Sequence, residues 1–138
     1  MVDVGAGDGK LAAWLAAGGH RVIATENKPG PLAEARRRLD PLGVECRLGE
    51  GLHPVAPGEV QVAVIAGMGG KTIASILADS TEVVGRLEAL VLQPVQQLEE
   101  LREELDRSGF RVEAEAAVEQ GRHRYLALRV LPAYSTGS

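Results

Sequence analysis

The sequence predicts a three-layer α/β/α domain with a seven-stranded, mostly parallel sheet whose last strand runs antiparallel. Short apolar runs alternate with segments of helical periodicity, as in repeated βαβ units. A glycine-rich turn joins the first apolar run to the first helical segment. Only a short polar turn separates the last two apolar runs, which indicates an antiparallel pair. The seven predicted strands are residues 2–4, 21–25, 44–48, 60–66, 89–92, 110–118 and 124–130.

The first two predicted helices follow strands one and two. The first carries apolar residues at positions 11, 14 and 15 and ends at Gly18 and Gly19. The second begins near Pro31, because proline suits an early helical turn. Its apolar face consists of Leu32, Ala35 and Leu39. A loop, residues 49–59, replaces the helix expected between strands three and four.

The second half of the chain repeats this alternation. Strand four is nearly all apolar, which predicts a central position with both faces buried. The helix after it has Ile73, Ile76 and Leu77 on one face, and Pro94 ends strand five. Residues 98–105 carry leucines at helical spacing, and Gly109 is the expected C-cap.

Length and charge restrict the class of protein. The 138 residues predict one domain over residues 1–131, with a disordered tail at 132–138. A net charge of −4 argues against nucleic-acid binding over the whole surface, but two local basic patches exist at 36–38 and 122–124. The single Cys46 rules out an internal disulfide and suits the cytoplasm. We expect no membrane span, no signal peptide and no metal site.

The first glycine turn carries the strongest functional signal. Gly5, Gly7 and Gly9 remove side chains from a turn at a helix N-terminus, so a ligand can approach the backbone amides. The dinucleotide fingerprint requires a glycine where Lys10 stands. The pattern of an acidic residue, here Asp3, before G-x-G-x-G resembles that of class I S-adenosylmethionine (SAM) methyltransferases. In that family Asp3 would bind the cationic amino group of the methionine moiety, directly or through water.

Ligands of such sheets bind at the carboxyl ends of the strands. Glu26 follows strand two, where a carboxylate can accept both ribose hydroxyls; a solvated loop glutamate is the alternative. Glu50 follows strand three and is placed to accept from the adenine amino group, with the same alternative. Asn27, Gly51 and Gly67 complete the predicted cofactor site.

Two longer motifs are more specific. AGMGGKTIASIL at 66–77, followed by LVLQP at 90–94, resembles the bacterial tRNA (adenine-22-N1)-methyltransferase family, the TrmK type. The resemblance extends over about residues 2–130. It implies a Rossmann-like class I methyltransferase fold, SAM as cofactor and methylation of N1 of adenine 22 in the D-arm of tRNA.

The sequence also departs from this family. Members usually read Asp-Ile-Gly-Ser-Asp-His-Ala at the first turn, and Gly7-Asp8 stands here in place of the Asp-His pair. Glu50 replaces an Asn or Asp, and Leu126 replaces a glutamate. The family's helix before strand one and its helical C-terminal extension have no counterpart in the 138 residues. The chain is therefore expected to be either a shortened form or a minimal member.

The expected chemistry needs little from side chains. N1 of adenine has its own lone pair, so positioning rather than a general base should dominate, and the base must be unpaired. The candidate catalytic residues are Asp8, Gly67, Met68, Gly69, Gly70 and Gln93. Each has a structural alternative: Asp8 as a helix cap, residues 67–70 as a helix-entry turn, and Gln93 as a strand-terminal polar group.

The candidate tRNA-binding residues are Lys28, Lys71, Arg124 and Tyr125. Tyr125 could stack on the base or belong to the core. With so few basic groups, tRNA binding through this domain alone should be weak. Two other functions stay open: methylation of a small molecule or protein, and a SAM-binding partner subunit with little activity. A homodimer could supply the missing tRNA-binding parts.

Overall fold

The computed structural model describes residues 1–132, apart from the side chains of Val118 and Gln120. The helices and strands follow one another in the predicted alternation. In chain order they are β1 (Val2–Val4), α1 (Lys10–Ala17), β2 (Ile23–Glu26), α2 (Pro29–Leu39), a 3-10 turn (Asp40–Leu42), β3 (Glu45–Leu48), β4 (Val62–Met68), α3 (Gly70–Asp79), α4 (Thr81–Gly85), β5 (Ala89–Pro94), α5 (Leu98–Arg107), β6 (Arg111–Gln120) and β7 (His123–Leu131).

The seven strands form one sheet in the order β3-β2-β1-β4-β5-β7-β6. Strands β1 to β5 pair in parallel, and β7 runs antiparallel to both β5 and β6. The predicted fold class is confirmed, including the antiparallel last strand and the central position of β4. In such a sheet the turns that follow the parallel strands gather at one edge, which here carries the candidate site.

Two apolar clusters fill the space on either face of the sheet. The larger one joins β1, β4, β5 and β7 to α3, α4 and α5, and includes Val2, Val4, Leu90 and Leu92. The smaller one joins α1 and α2 to the β2–β3 half of the sheet, and Cys46 packs against it. Because side chains alternate along a strand, Asp3 lies on the sheet face opposite Val2 and Val4.

The boundaries differ from the predictions where apolar residues lie outside the strand ladder. Val22 and Val60 are buried, yet β2 begins at Ile23 and β4 at Val62. Apolar character reports burial and not backbone pairing, so the sequence predicts these strands too early. Helix α4 was not predicted, because five residues are too few to show a helical period. The predicted disordered tail, apart from Pro132, lies outside the described residues.

Candidate active site

The glycine turn after β1 is folded tightly against neighbouring elements. Gly5 and Gly7 have φ of 69° and 59°, values that favour glycine. The methyl carbon of Met68 occupies the place that a Cβ on Gly5 would need. The amide of Ala6 donates to the carbonyl of Thr25 over 2.8 Å, which ties the turn to β2. The turn is therefore tied to β2 and covered by Met68 at Gly5, whereas nothing lies within 4 Å of the place that a Cβ on Gly7 would take.

Glu26 ends β2 and is 7% exposed. Its Oε1 accepts the amide of Gly7 over 3.0 Å, and its Oε2 accepts the amide of Lys28 over 3.0 Å. Each carboxylate oxygen keeps a further lone pair for a ligand. Glu26 thus anchors the glycine turn, a role that the sequence analysis missed.

A cavity of about 340 Å³ opens at the carboxyl ends of β1, β2 and β4. This volume is within the usual range of small-ligand sites. The predicted residues that line it are Gly5, Gly7, Glu26, Asn27, Lys28, Glu50, Gly51, Gly67 and Met68. Thr72 and Ile76 on α3 also line the cavity and were not predicted. Their spacing of four residues, which places them on one helix face, is the signal that could have identified them.

Several predicted cofactor and catalytic residues lie outside this cavity. Gly9 packs α1 against α2, since an added Cβ would lie 2.9 Å from Cδ1 of Leu39. Asp8 accepts the amide of Lys10 over 3.1 Å and so fixes the start of α1. Asp8 thus contacts the first amide of α1, close to its capping alternative, although the N-cap residue is Gly9.

Asp3 is buried in β1 directly before the glycine turn and is 3% exposed. Its Oδ2 has no hydrogen-bond partner in the described part of the chain. Burial raises the pKa of this carboxyl to about 7. Such a group is poised to accept a proton or a donor, but it does not line the cavity itself.

The loop between β3 and β4 is held by one arginine. Nη1 of Arg47 donates to the carbonyl of Pro54 and to Oε1 of Glu59, each over 2.8 Å, and Nε donates to Glu45 over 2.7 Å. The hydrogen bond from Arg47 lowers the pKa of Glu59 to about 2. These contacts replace the missing helix and fix the loop that carries Glu50 to the cavity.

The turn after β4 is joined to the turn after β5. The amide of Val95 donates to the carbonyl of Met68 over 3.0 Å, and that of Gly70 donates to the carbonyl of Gln96 over 2.9 Å. The amide of Lys71 donates to Oε1 of Gln97 over 3.3 Å. Gly69 and Gly70 are therefore fixed at the rim, beside the cavity rather than in its lining.

Gln93 lies beside this rim but on another surface. It pairs in register with Ala66, and Leu90 and Leu92 of the same strand belong to the larger apolar cluster. By alternation Gln93 is on the opposite sheet face, and it does not line the cavity.

The β6–β7 hairpin extends past the same edge of the sheet. Leu128 is paired with Leu92, so the chain from Leu128 back to Arg124 continues roughly 13 Å in the direction in which β5 ends. Arg124 is exposed, and Tyr125 is half-buried. The ring of Tyr125 stacks on that of His123 with 5.9 Å between centroids and 23° between planes.

The four predicted tRNA-binding residues are thus distributed along one edge. Lys28 lines the cavity, exposed Lys71 lies in the first turn of α3, and Arg124 and Tyr125 lie on the hairpin. Within residues 1–132 no helix combines the length and the apolar character needed to cross a membrane. In the same residues no cluster of His, Cys, Asp or Glu has a metal-binding arrangement.

Comparison with known proteins gives a consistent result. The methyltransferase domain family matches residues 1–128. A tRNA (adenine(22)-N(1))-methyltransferase of Bacillus subtilis (strain 168) is 31% identical over 127 residues, which are 87% of this chain and 53% of the relative. The chain therefore spans about half the length of the curated relative that it matches.

Solved structures match over nearly the whole chain. Sp1610 of Streptococcus pneumoniae, a candidate tRNA (m1A22) methyltransferase in complex with S-adenosyl-L-methionine, is 32% identical with a TM-score of 0.90. The match covers 96% of this chain and 65% of that one. The B. subtilis m1A22 tRNA methyltransferase TrmK is 29% identical with a TM-score of 0.87, over 96% and 59% of the two chains. The chain belongs to the methyltransferase domain family.

Proposed function

We propose that this chain is a SAM-dependent methyltransferase that acts on N1 of an adenine in tRNA, adenine 22 of the D-arm, in the cytoplasm. The observation that carries the proposal is the cavity between the glycine turn and Glu26, at the carboxyl edge of the sheet. The likeness to the B. subtilis tRNA (adenine(22)-N(1))-methyltransferase supports the choice of substrate.

The residues at the cavity fit the proposed cofactor. Glu26 offers carboxylate lone pairs for the ribose, and exposed Glu50 can accept from the adenine amino group. Nothing lies within 4 Å of the place that a Cβ on Gly7 would take, so a ligand can approach the backbone there, whereas Met68 and Ile76 fill the corresponding places at Gly5 and Gly51. The unpartnered Oδ2 of Asp3 matches a cationic amino group reached through water.

The chemistry follows from placement. Bound SAM supplies an electrophilic methyl group. The chain's part is to hold the adenine edge in line with it. Gly67 leaves open space for a flat base at the cavity, Met68 offers a side chain beside it, and Gly69 and Gly70 shape the rim. N1 keeps its own lone pair, so Asp8 is not needed as a base.

The tRNA would contact the carboxyl edge of the sheet. Lys28 and Lys71 lie at or beside the cavity and Arg124 on the projecting hairpin, where they can meet phosphates. Tyr125, stacked with His123, offers an aromatic surface for an unpaired base. Few phosphate contacts predict weak binding by this domain alone, and a homodimer could add more.

One observation favours a second candidate function. Gly7-Asp8 replaces the Asp-His pair of the resembling family, and Asp8 is engaged with the start of α1. A SAM-binding subunit with little activity of its own would not need that pair. The same geometry would also serve a methyltransferase for a small molecule or a protein.

One experiment separates these functions. The protein is incubated with SAM and an unmodified tRNA transcript, and the nucleosides are identified by mass spectrometry. Formation of 1-methyladenosine supports the proposal. SAM binding by calorimetry without methylation of any RNA supports the partner-subunit function, and binding of NAD in place of SAM contradicts both.

A further inference from the structure

The turn after β5 contains the one strained residue position in the described chain. Gln97 has φ 58° and ψ 39°, and among residues 1–132 it is the only residue other than glycine with positive φ. Such conformations are costly and tend to occur where function requires them. Here three hydrogen bonds hold the conformation in place: the carbonyl of Met68 accepts from the turn, and the amides of Gly70 and Lys71 donate to it.

This conformation brings two amide side chains over Gly69. A Cβ added to Gly69 would lie 2.7 Å from Oε1 of Gln97 and 3.3 Å from Nε2 of Gln96. The amide of Gln97 is engaged, since it accepts from the backbone of Lys71. The side chain of Gln96 is exposed and makes no hydrogen bond to the described residues, so its donor and acceptor are both free. A free amide thus lies at the rim, one residue from the cavity-lining Met68.

We propose that Gln96 is a specificity-determining residue that recognises the Hoogsteen edge of the target adenine. Its Nε2 would donate to N7, and its Oε1 would accept from the exocyclic N6 amino group, the pair that an amide makes with adenine. Both contacts leave N1 free for the methyl group. Guanine has an acceptor, O6, in place of the N6 donor, so the same amide disfavours it. The inference rests on the proposed function.

Gln96 suits this role better than Gln93. Neither side chain lines the cavity, but that of Gln93 is half-buried on the sheet face away from α3. Gln96 is exposed against Gly69, and the backbone carbonyl of Gln96 is held by the amide of Gly70. The strained residue after it fixes the direction of the turn.

The test combines a residue change with an atom change. The wild type and Gln96→Ala are compared on two tRNA transcripts that carry adenosine or 7-deazaadenosine at the target position. We expect Gln96→Ala to lower kcat/KM for the adenosine substrate by about 5- to 100-fold. The kcat/KM of the wild type should fall by a comparable factor when 7-deazaadenosine replaces adenosine. The kcat/KM of Gln96→Ala should be the same on both substrates, because this variant has no amide to bind N7.

The controls separate this inference from its foundation. Gln61→Ala removes an exposed glutamine at the opposite edge of the sheet and should leave kcat/KM unchanged. The SAM affinity of Gln96→Ala should equal that of the wild type. Equal 1-methyladenosine formation by wild type and Gln96→Ala would contradict the role of Gln96 but not the proposed function. Additive losses from the two changes would also contradict it. Absence of 1-methyladenosine with every protein would overturn the proposed function and this inference together.

Discussion

Asp3 shows how one buried side chain can link stability, pH and ligand binding. Burial raises its pKa from 3.8 to about 7, so the folded protein holds this proton more tightly than the unfolded chain. Stability from this group is complete below about pH 4 and is lost as the pH rises to 7. We expect Asp3→Asn to remove that loss, so that its free energy of unfolding relative to wild type rises by about 3 to 4 kcal/mol between pH 4 and 8.

Urea denaturation of both proteins at several pH values measures this difference. Groups other than Asp3 titrate in both proteins, so their contributions cancel in the comparison. A difference that does not change with pH would contradict the raised pKa. Under the proposed function, SAM affinity should also increase with pH up to about 7, because a cationic amino group favours the carboxylate, and Asp3→Asn should abolish that increase.

The side chain of Glu26 holds the glycine turn and is also the proposed ribose ligand. Glu26→Ala removes the acceptors of the Gly7 and Lys28 amides together with the proposed ribose contact. We expect SAM binding to weaken by roughly 2 to 3 kcal/mol. Calorimetric titration measures the change, and Glu50→Ala, at an exposed position, should have a smaller effect. Unchanged SAM affinity in Glu26→Ala would place the cofactor elsewhere.

The contact of Arg47 with Glu59 holds the conformation of the loop between β3 and β4. Because Arg47 lowers the pKa of Glu59 from 4.5 to about 2, the stability from this pair is present above pH 4.5 and is lost as the pH falls towards 2. The partial exposure of both side chains screens the pair. We expect Arg47→Ala to lower the free energy of unfolding by about 1 to 2 kcal/mol and to weaken SAM binding, since the loop carries Glu50 and Gly51.

Arg129→Ala is the matched control for this change. It breaks the ion pair with Glu113, in which both side chains are about half exposed, and should change the free energy of unfolding by less than about 1 kcal/mol. Urea denaturation gives both values, and hydrogen exchange of the loop amides reports the local effect. Equal behaviour of the two variants would show that the Arg47 contacts do not hold the loop.

These elements also show what the sequence can predict. The βα alternation predicted the sheet, because periodicity is a local property, and the carboxyl-edge rule predicted Glu26, Glu50 and Gly67 at one cavity. The contacts of Arg47 with Glu59 and of Lys71 with Gln97 join residues 12 and 26 positions apart. Such pairs leave no periodic pattern in the sequence. The strained turn at Gln97, with the exposed Gln96 before it, was therefore missed.

The net charge of the molecule disfavours the proposed binding of tRNA, whereas its topology favours it. The net charge of −4 repels RNA, whereas the fold collects Lys28, Lys71 and Arg124 at the edge that carries the cavity. Under the proposed function, tRNA binding should then depend on a few phosphate contacts. Each neutralised phosphate contributes a salt slope of about −1 or slightly less, so the total slope should be shallow.

This balance gives a prediction about tRNA binding. Lys71→Glu and Arg124→Glu should each weaken tRNA binding several-fold, because each replaces an attractive charge at the rim with a repulsive one, and SAM affinity should stay nearly constant. Arg111→Glu is the matched control: Arg111 is exposed and lies at the other end of the same hairpin, paired with Leu131. Titration of labelled tRNA at several salt concentrations measures affinity and slope. An equal loss in all three variants would show that net charge alone weakens binding. No loss in any of them would show that RNA does not dock on the carboxyl edge of the sheet.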